Sequence, residues 1–119
     1  MQQFEITRQL FGKNLTAHVI RLDEGIHVLI YGGSCSHIGA LSVIALGENC
    51  STTQFPNHRD GVISEMWAKA LAEVCAEPVV AAAGIHYDNL SREDIQKILS
   101  AMEEMVAEAS TLLSSACKI

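Results

Sequence analysis

The stretch VVAAAGIHYDN, residues 79–89, decides the fold. Its first seven residues are apolar on every position, without the alternation of a half-exposed strand. Pro78 stands in front of them and a polar cluster follows. A short apolar run with no polar face predicts a strand covered on both sides. Upstream, IGALSVIAL at 38–46 reads the same way: Ile38, Ala40, Ile44 and Leu46 lie on one face, Leu41, Val43 and Ala45 on the other.

The rest of the chain supplies the neighbours of these two strands. Residues 3–11 alternate, with Phe4, Ile6 and Leu10 opposed to Glu5 and Thr7, and predict a half-buried strand. GKN at 12–14 reads as a hairpin turn, LTAHVIRL at 15–22 as a second strand, DEG at 23–25 as a turn and IHVLIY at 26–31 as a third strand. His18 and His27 fall inside strands and are expected to hold ordinary sheet positions. Residues 47–60 carry turn formers and little periodicity, so they read as a loop; a loop of that length in a small domain is usually functional or mobile.

From Val62 to Cys75 the period becomes helical, with Asp60 placed as N-cap and Pro78 beyond the end. SRED at 91–94 is a capping box that opens a long helix, running to about residue 116, with Ile95, Ile98, Met102, Met105, Ala109 and Leu113 on one stripe. The expected order is β-β-β-β-α-β-α. The expected fold is α+β, a single mixed, mainly antiparallel sheet packed by two helices, with residues 1–119 forming one domain. Two helices do not cover both faces of such a sheet, so a homodimer or a stable complex is expected.

Composition narrows the function. The chain has 119 residues, 49% of them hydrophobic, and a net charge of −6. Acidity without a basic patch argues against nucleic acid and anionic membranes as partners. The start, MQQFEITRQL, has no basic segment or apolar core of a signal peptide, and no apolar run has membrane-span length. A cytoplasmic protein is expected. Cys35, Cys50, Cys75 and Cys117 form no C-x-x-C pair and are expected to remain thiols there.

Three segments offer chemistry. GGSCSHIGA at 32–40 contains Gly32, Gly33, Ser34, Ser36, His37 and Gly39; such a loop can turn its N–H groups toward an anion, and it is equally plain turn chemistry. PNHRD at 56–60 sets His58 and Arg59 before a helix start, where an anion can dock or where both are simply solvated. GIHYDN at 84–89 puts His86, Asp88 and Asn89 at the end of a strand, as a ligand subsite or as a polar loop. His37, His58 and His86 could share a metal, but their spacings match no metal signature, and neither a metal nor a catalytic residue is assigned.

Taken together, the order GG…HIGA, HRD before a helix, and AGIHYDN before a capped helix resembles one family. It looks like the accessory D subunit of gallate decarboxylase, the prenylated-flavin chaperone-like proteins, which are similar in fold to the small proteasome-assembly chaperones. Where that pattern carries charge after the double glycine, this chain has Ser34 and Cys35. The resemblance implies an accessory protein, a chaperone or small subunit not catalytic alone. It would serve a prenylated-FMN-dependent aromatic acid decarboxylase and bind or deliver prenylated FMN or FMN. The partners implied are the decarboxylase large subunit and a second copy. The residues so implicated are Gly32, Gly33, Ser34, Ser36, His37, Gly39, His58, Arg59, His86, Asp88 and Asn89. Tyr87 and Phe55 are the aromatic side chains placed to stack on a flavin ring. The alternatives are an interaction module without a small ligand, and a small metal-dependent lyase or hydrolase using the loop histidines.

Overall fold

The computed structural model describes residues 1–56 and 58–117, the side chains of 115–117 excepted. Its elements are β1 (Gln2–Leu10), β2 (Lys13–Arg21), β3 (Ile26–Gly33), β4 (Ala40–Ile44), β5 (Ser51–Gln54), α1 (Gly61–Cys75), β6 (Val79–His86) and α2 (Arg92–Cys117). The six strands form one sheet in the order β1-β2-β3-β6-β4-β5. Only β3 and β6 are parallel; the other neighbours run antiparallel. The α+β architecture expected from the sequence is therefore present, and β6, the run with no polar face, is a central strand.

Three local expectations are corrected. First, the segment read as a loop contains β5, whose four residues are all exposed. With no buried face it has no hydrophobic period to read; pairing with β4 makes it a strand. Second, β4 is shorter than the apolar run, leaving Ile38 54% and Leu46 64% exposed. Third, the β1–β2 turn is Phe11–Gly12, with Leu10 opposite Lys13, and both turn residues have positive φ, 53° and 74°. A two-residue turn of this kind matches the twist of the strands it joins.

Alternation divides the sheet. Ile6, Ala17, Val19, Val28, Ile30, Ala81 and Ala83 face the helices, where they pack with Trp67, Leu71, Met102, Met105 and Leu113. Helix α1 lies over β4 and β6, and α2 lies against α1 and β1. Both helices therefore sit on one face. The opposite face carries Leu29, Tyr31, Leu41, Val43, Val80 and Ala82, and no described element covers it. On the helical face, Ser42 of β4 is fully buried yet satisfied: its Oγ lies 2.7 Å from Ser64 Oγ of α1 and 2.8 Å from Thr52 Oγ1 of β5. This hydroxyl chain ties three elements together where an unpaired polar group would be costly.

Helix α1 ends at Cys75, with Ala76 in the left-handed region and Pro78 beyond. The Ser91–Asp94 capping box forms in both directions at 3.1 Å. Cys35 and Cys50 are free thiols. The expectation of four thiols is corrected at Cys75, which is disulfide-bonded; the Cys117 side chain lies outside the described residues. No described helix is long and apolar enough to cross a membrane.

Candidate functional site: a histidine-ended recess beside β6

The site lies off the carboxyl ends of the parallel pair β3–β6. The chain leaving β3 must pass β6 to reach β4, and it does so in contact with Gly84. A Cβ at residue 84 would collide with the carbonyl oxygen of His37, so only glycine allows the crossing. Because β4 begins at Ala40, opposite Ala83, the strand offers no partner to the next β6 amide on that side. The Ile85 N–H instead donates to Asp60 Oδ1 at 3.1 Å.

This draws Asp60 away from its expected task. It occupies the N-cap position of α1 but makes no side-chain cap bond. Gln54 of β5 takes that role, accepting from the Gly61 N–H at 3.0 Å. Asp60 is buried, 6% exposed, and its second oxygen, Oδ2, lies 3.0 Å from His37 Nε2. The ring of His58 stacks on His37 with centroids 4.4 Å apart, and the ring of His86 lies 6.4 Å from His37. Gly39 makes room for this group: a Cβ there would collide with Asp60 Oδ2 and press on His58. The three loop histidines do converge.

They form the polar end of a recess of about 460 Å³ that also holds Arg59, Val62, Ile63, Ile85, Tyr87, Leu90, Ile95, Ile98 and Leu99. Val62 and Ile95 belong to helix stripes that the periodicity assigns to the core, yet they are 62% and 44% exposed. They line the recess instead. Arg59 is exposed at its edge and has no ion pair among the described residues. Volume, an apolar wall and a few convergent polar groups are the features of a small-molecule pocket.

The other singled-out residues are placed differently. Gly32 and Gly33 end β3, where a side chain would strike the backbone of Asn14 and of His86 respectively. The Ser34 N–H already donates to the His86 carbonyl at 2.7 Å, and Ser34 Oγ does so at 3.2 Å. Ser36 lines a separate shallow depression on the uncovered sheet face with His18, Leu29, Tyr31 and Ile38; His37 borders both. Asp88 is exposed and holds His86 Nε2 at 3.0 Å. Asn89 is exposed at φ 57°, shaping the turn before α2. Asn57 of the PNHRD segment lies outside the described residues. Tyr87 donates its hydroxyl to the Leu10 carbonyl at 2.9 Å and packs edge-on against Phe11. Burial raises the Tyr87 pKa above 10.0. Phe55 is 39% exposed and outside the recess.

Sequence reading missed Asp60 as a site residue. The pattern His58-x-Asp60 was visible, but a helix-start aspartate reads as a cap. It also missed the apolar wall, because exposed and buried members of a helix stripe look alike in sequence.

The model of the prenylated flavin chaperone LpdD-like domain matches residues 9–114. The chain belongs to this family. Protein LpdD of Lactiplantibacillus plantarum is 29% identical over 94 residues, which cover 75% of this chain and 69% of that protein. Among solved structures, a chain of the crystal structure of a novel chaperone complex for yeast 20S proteasome assembly is similar, with a TM-score of 0.54. The likeness covers 98% of this chain and 99% of that one at 12% identity, and it supports the fold alone.

Proposed function

We propose that residues 1–119 act as a single prenylated-flavin chaperone-like domain, an accessory protein for a prenylated-FMN-dependent aromatic acid decarboxylase, and that the recess beside β6 receives the flavin. The observation that carries this reading is the pairing of an apolar wall with a histidine- and arginine-bearing rim in one cavity. A prenylated flavin presents a matching contrast: an apolar, flat ring system and an anionic phosphate. Arg59 is a cation on the recess with no ion pair among the described residues, available to the phosphate, and a guanidinium binds such a group through two parallel hydrogen bonds. His37, His58 and His86 meet the polar edge of the ring. Nothing in this role requires the protein to catalyse a reaction alone.

Titration of the purified protein with FMN and with prenylated FMN tests the reading. A shifted flavin absorbance and a raised melting temperature are expected, with Arg59→Ala weakening binding roughly tenfold, the loss of one charge-assisted contact. Absence of any shift with either flavin well above micromolar concentration overturns it.

A second reading rests on the uncovered sheet face. Leu29, Leu41, Val43, Val80 and Ile38 form an apolar surface without a cover among the described elements, and Val43 and Ile38 are exposed. Contiguous exposed apolar surface marks a protein-binding site. On this reading the face receives a second copy of the chain, and the decarboxylase large subunit docks on the assembly.

A further inference from the structure

The geometry points to a divalent transition-metal site formed by His37, His58 and Asp60. One nitrogen from each imidazole and one carboxylate oxygen lie within 4.8 Å of one another. Two histidines and one carboxylate, with coordination positions left open, make a donor set suited to Fe²⁺ and also to Zn²⁺ and Co²⁺.

Three features of the surroundings suit an ion in this place. The first is the surroundings of His37. Its Nδ1 lies 3.3 Å from the Cys35 carbonyl and its Nε2 3.0 Å from Asp60 Oδ2, and both neighbours are acceptors. A neutral imidazole carries one N–H, so the nitrogen that does not donate keeps a lone pair. In the tautomer whose Nδ1–H donates to Cys35, Nε2 is free to ligate beside Asp60 Oδ2. An ion held by both atoms lies to the side of the line that joins them, where His58 stands. The second is His58, whose ring has no hydrogen bond among the described residues although it lies half-buried against His37. The third is the support behind the donors. Ligating histidines and carboxylates are held by further hydrogen bonds that fix their orientation. Here the Cys35 carbonyl holds His37, and the Ile85 N–H holds Asp60 through its other oxygen. Gly39 supplies the space the cluster needs.

The cluster borders the recess, so the open positions face whatever the recess admits. The site requires no flavin, and its test is separate from the flavin titration. Untagged, metal-stripped protein is titrated with Co²⁺ alone and with Zn²⁺ alone. Uptake of one ion per chain is expected, with visible Co²⁺ ligand-field bands and a rise in melting temperature, since an ion that binds only the folded state stabilises it. His58→Ala is expected to weaken uptake by at least about tenfold, in line with the loss of a ligand, and the strand variant His27→Ala to leave it unchanged. Asp60→Asn, in a buried position that also holds Ile85, can fail for structural reasons; His58, whose ring has no hydrogen bond to lose among the described residues, is the deciding variant. In the wild-type protein, Zn²⁺ is expected to move the imidazole NMR signals of two histidines, those of His37 and His58. Absence of stoichiometric uptake of either ion, equal uptake by His58→Ala, or movement of the His18 or His27 signals in place of those of His37 and His58 overturns the proposal.

Discussion

At the scale of single residues, the site is made by positions that break a local rule for a tertiary reason. Asp60 makes no side-chain cap bond because its two carboxylate oxygens are taken by a strand amide and an imidazole. Gly84 is glycine because another segment's backbone passes over it. Gly84→Ala is therefore expected to force the 34–39 segment outward at a cost of about 1–3 kcal/mol, the usual range for overpacking, read from the urea midpoint. Tyr87 bridges the end of β6 to the β1–β2 turn. Tyr87→Phe should cost about 1 kcal/mol, the net worth of one hydrogen bond. Its pH dependence has a definite sign. Burial raises the folded-state pKa above 10.0, so the folded state resists losing the phenol proton. The contribution is intact below the unfolded value and is lost as pH rises through the folded one. Thermal melts above pH 10 should show wild type declining more steeply than Tyr87→Phe.

At the scale of elements, β5 shows why an exposed strand escapes sequence reading and still matters. Its residues carry no buried stripe, but Thr52 closes the hydroxyl chain with Ser42 and Ser64, and Gln54 caps α1. The cap comes from a neighbouring strand rather than from the position just before the helix. Gln54→Ala is expected to lower stability by about 1 kcal/mol, as loss of an N-cap does, measured by chemical denaturation. The helix α2 start behaves in the opposite way. There the capping box, all of it local, forms as the sequence pattern predicts.

At the scale of the whole molecule, two helices on one face leave an apolar patch of β3, β6 and β4 uncovered on the other. The proposed second copy covers it. Leu41→Glu places a charge within that patch, beside Ala82 of β6, while leaving the helical core untouched. It is expected to convert a dimer to a monomer in size-exclusion chromatography with light scattering, with little change in the circular dichroism spectrum. A wild-type monomer at micromolar concentration would remove the second reading and leave the recess standing.

Where chemistry is local, the sequence alone sufficed: the alternation of β1, the two-faced apolar run of β6, the stripe of α2 and its capping box all follow from neighbours a few residues apart. The family resemblance was legible too, because a motif is read from the order of residues along the chain. What only the tertiary structure decided is which of these groups meet. His37 joins Asp60 across 23 positions, and Asp60 joins Ile85 across 25. Such contacts depend on how the strands are ordered in the sheet and where β4 begins, and no periodicity encodes either. The same holds for Val62 and Ile95. Their helical spacing makes them apolar-face residues, but whether that face meets a core or a recess depends on the distance between two helices packed on a common sheet.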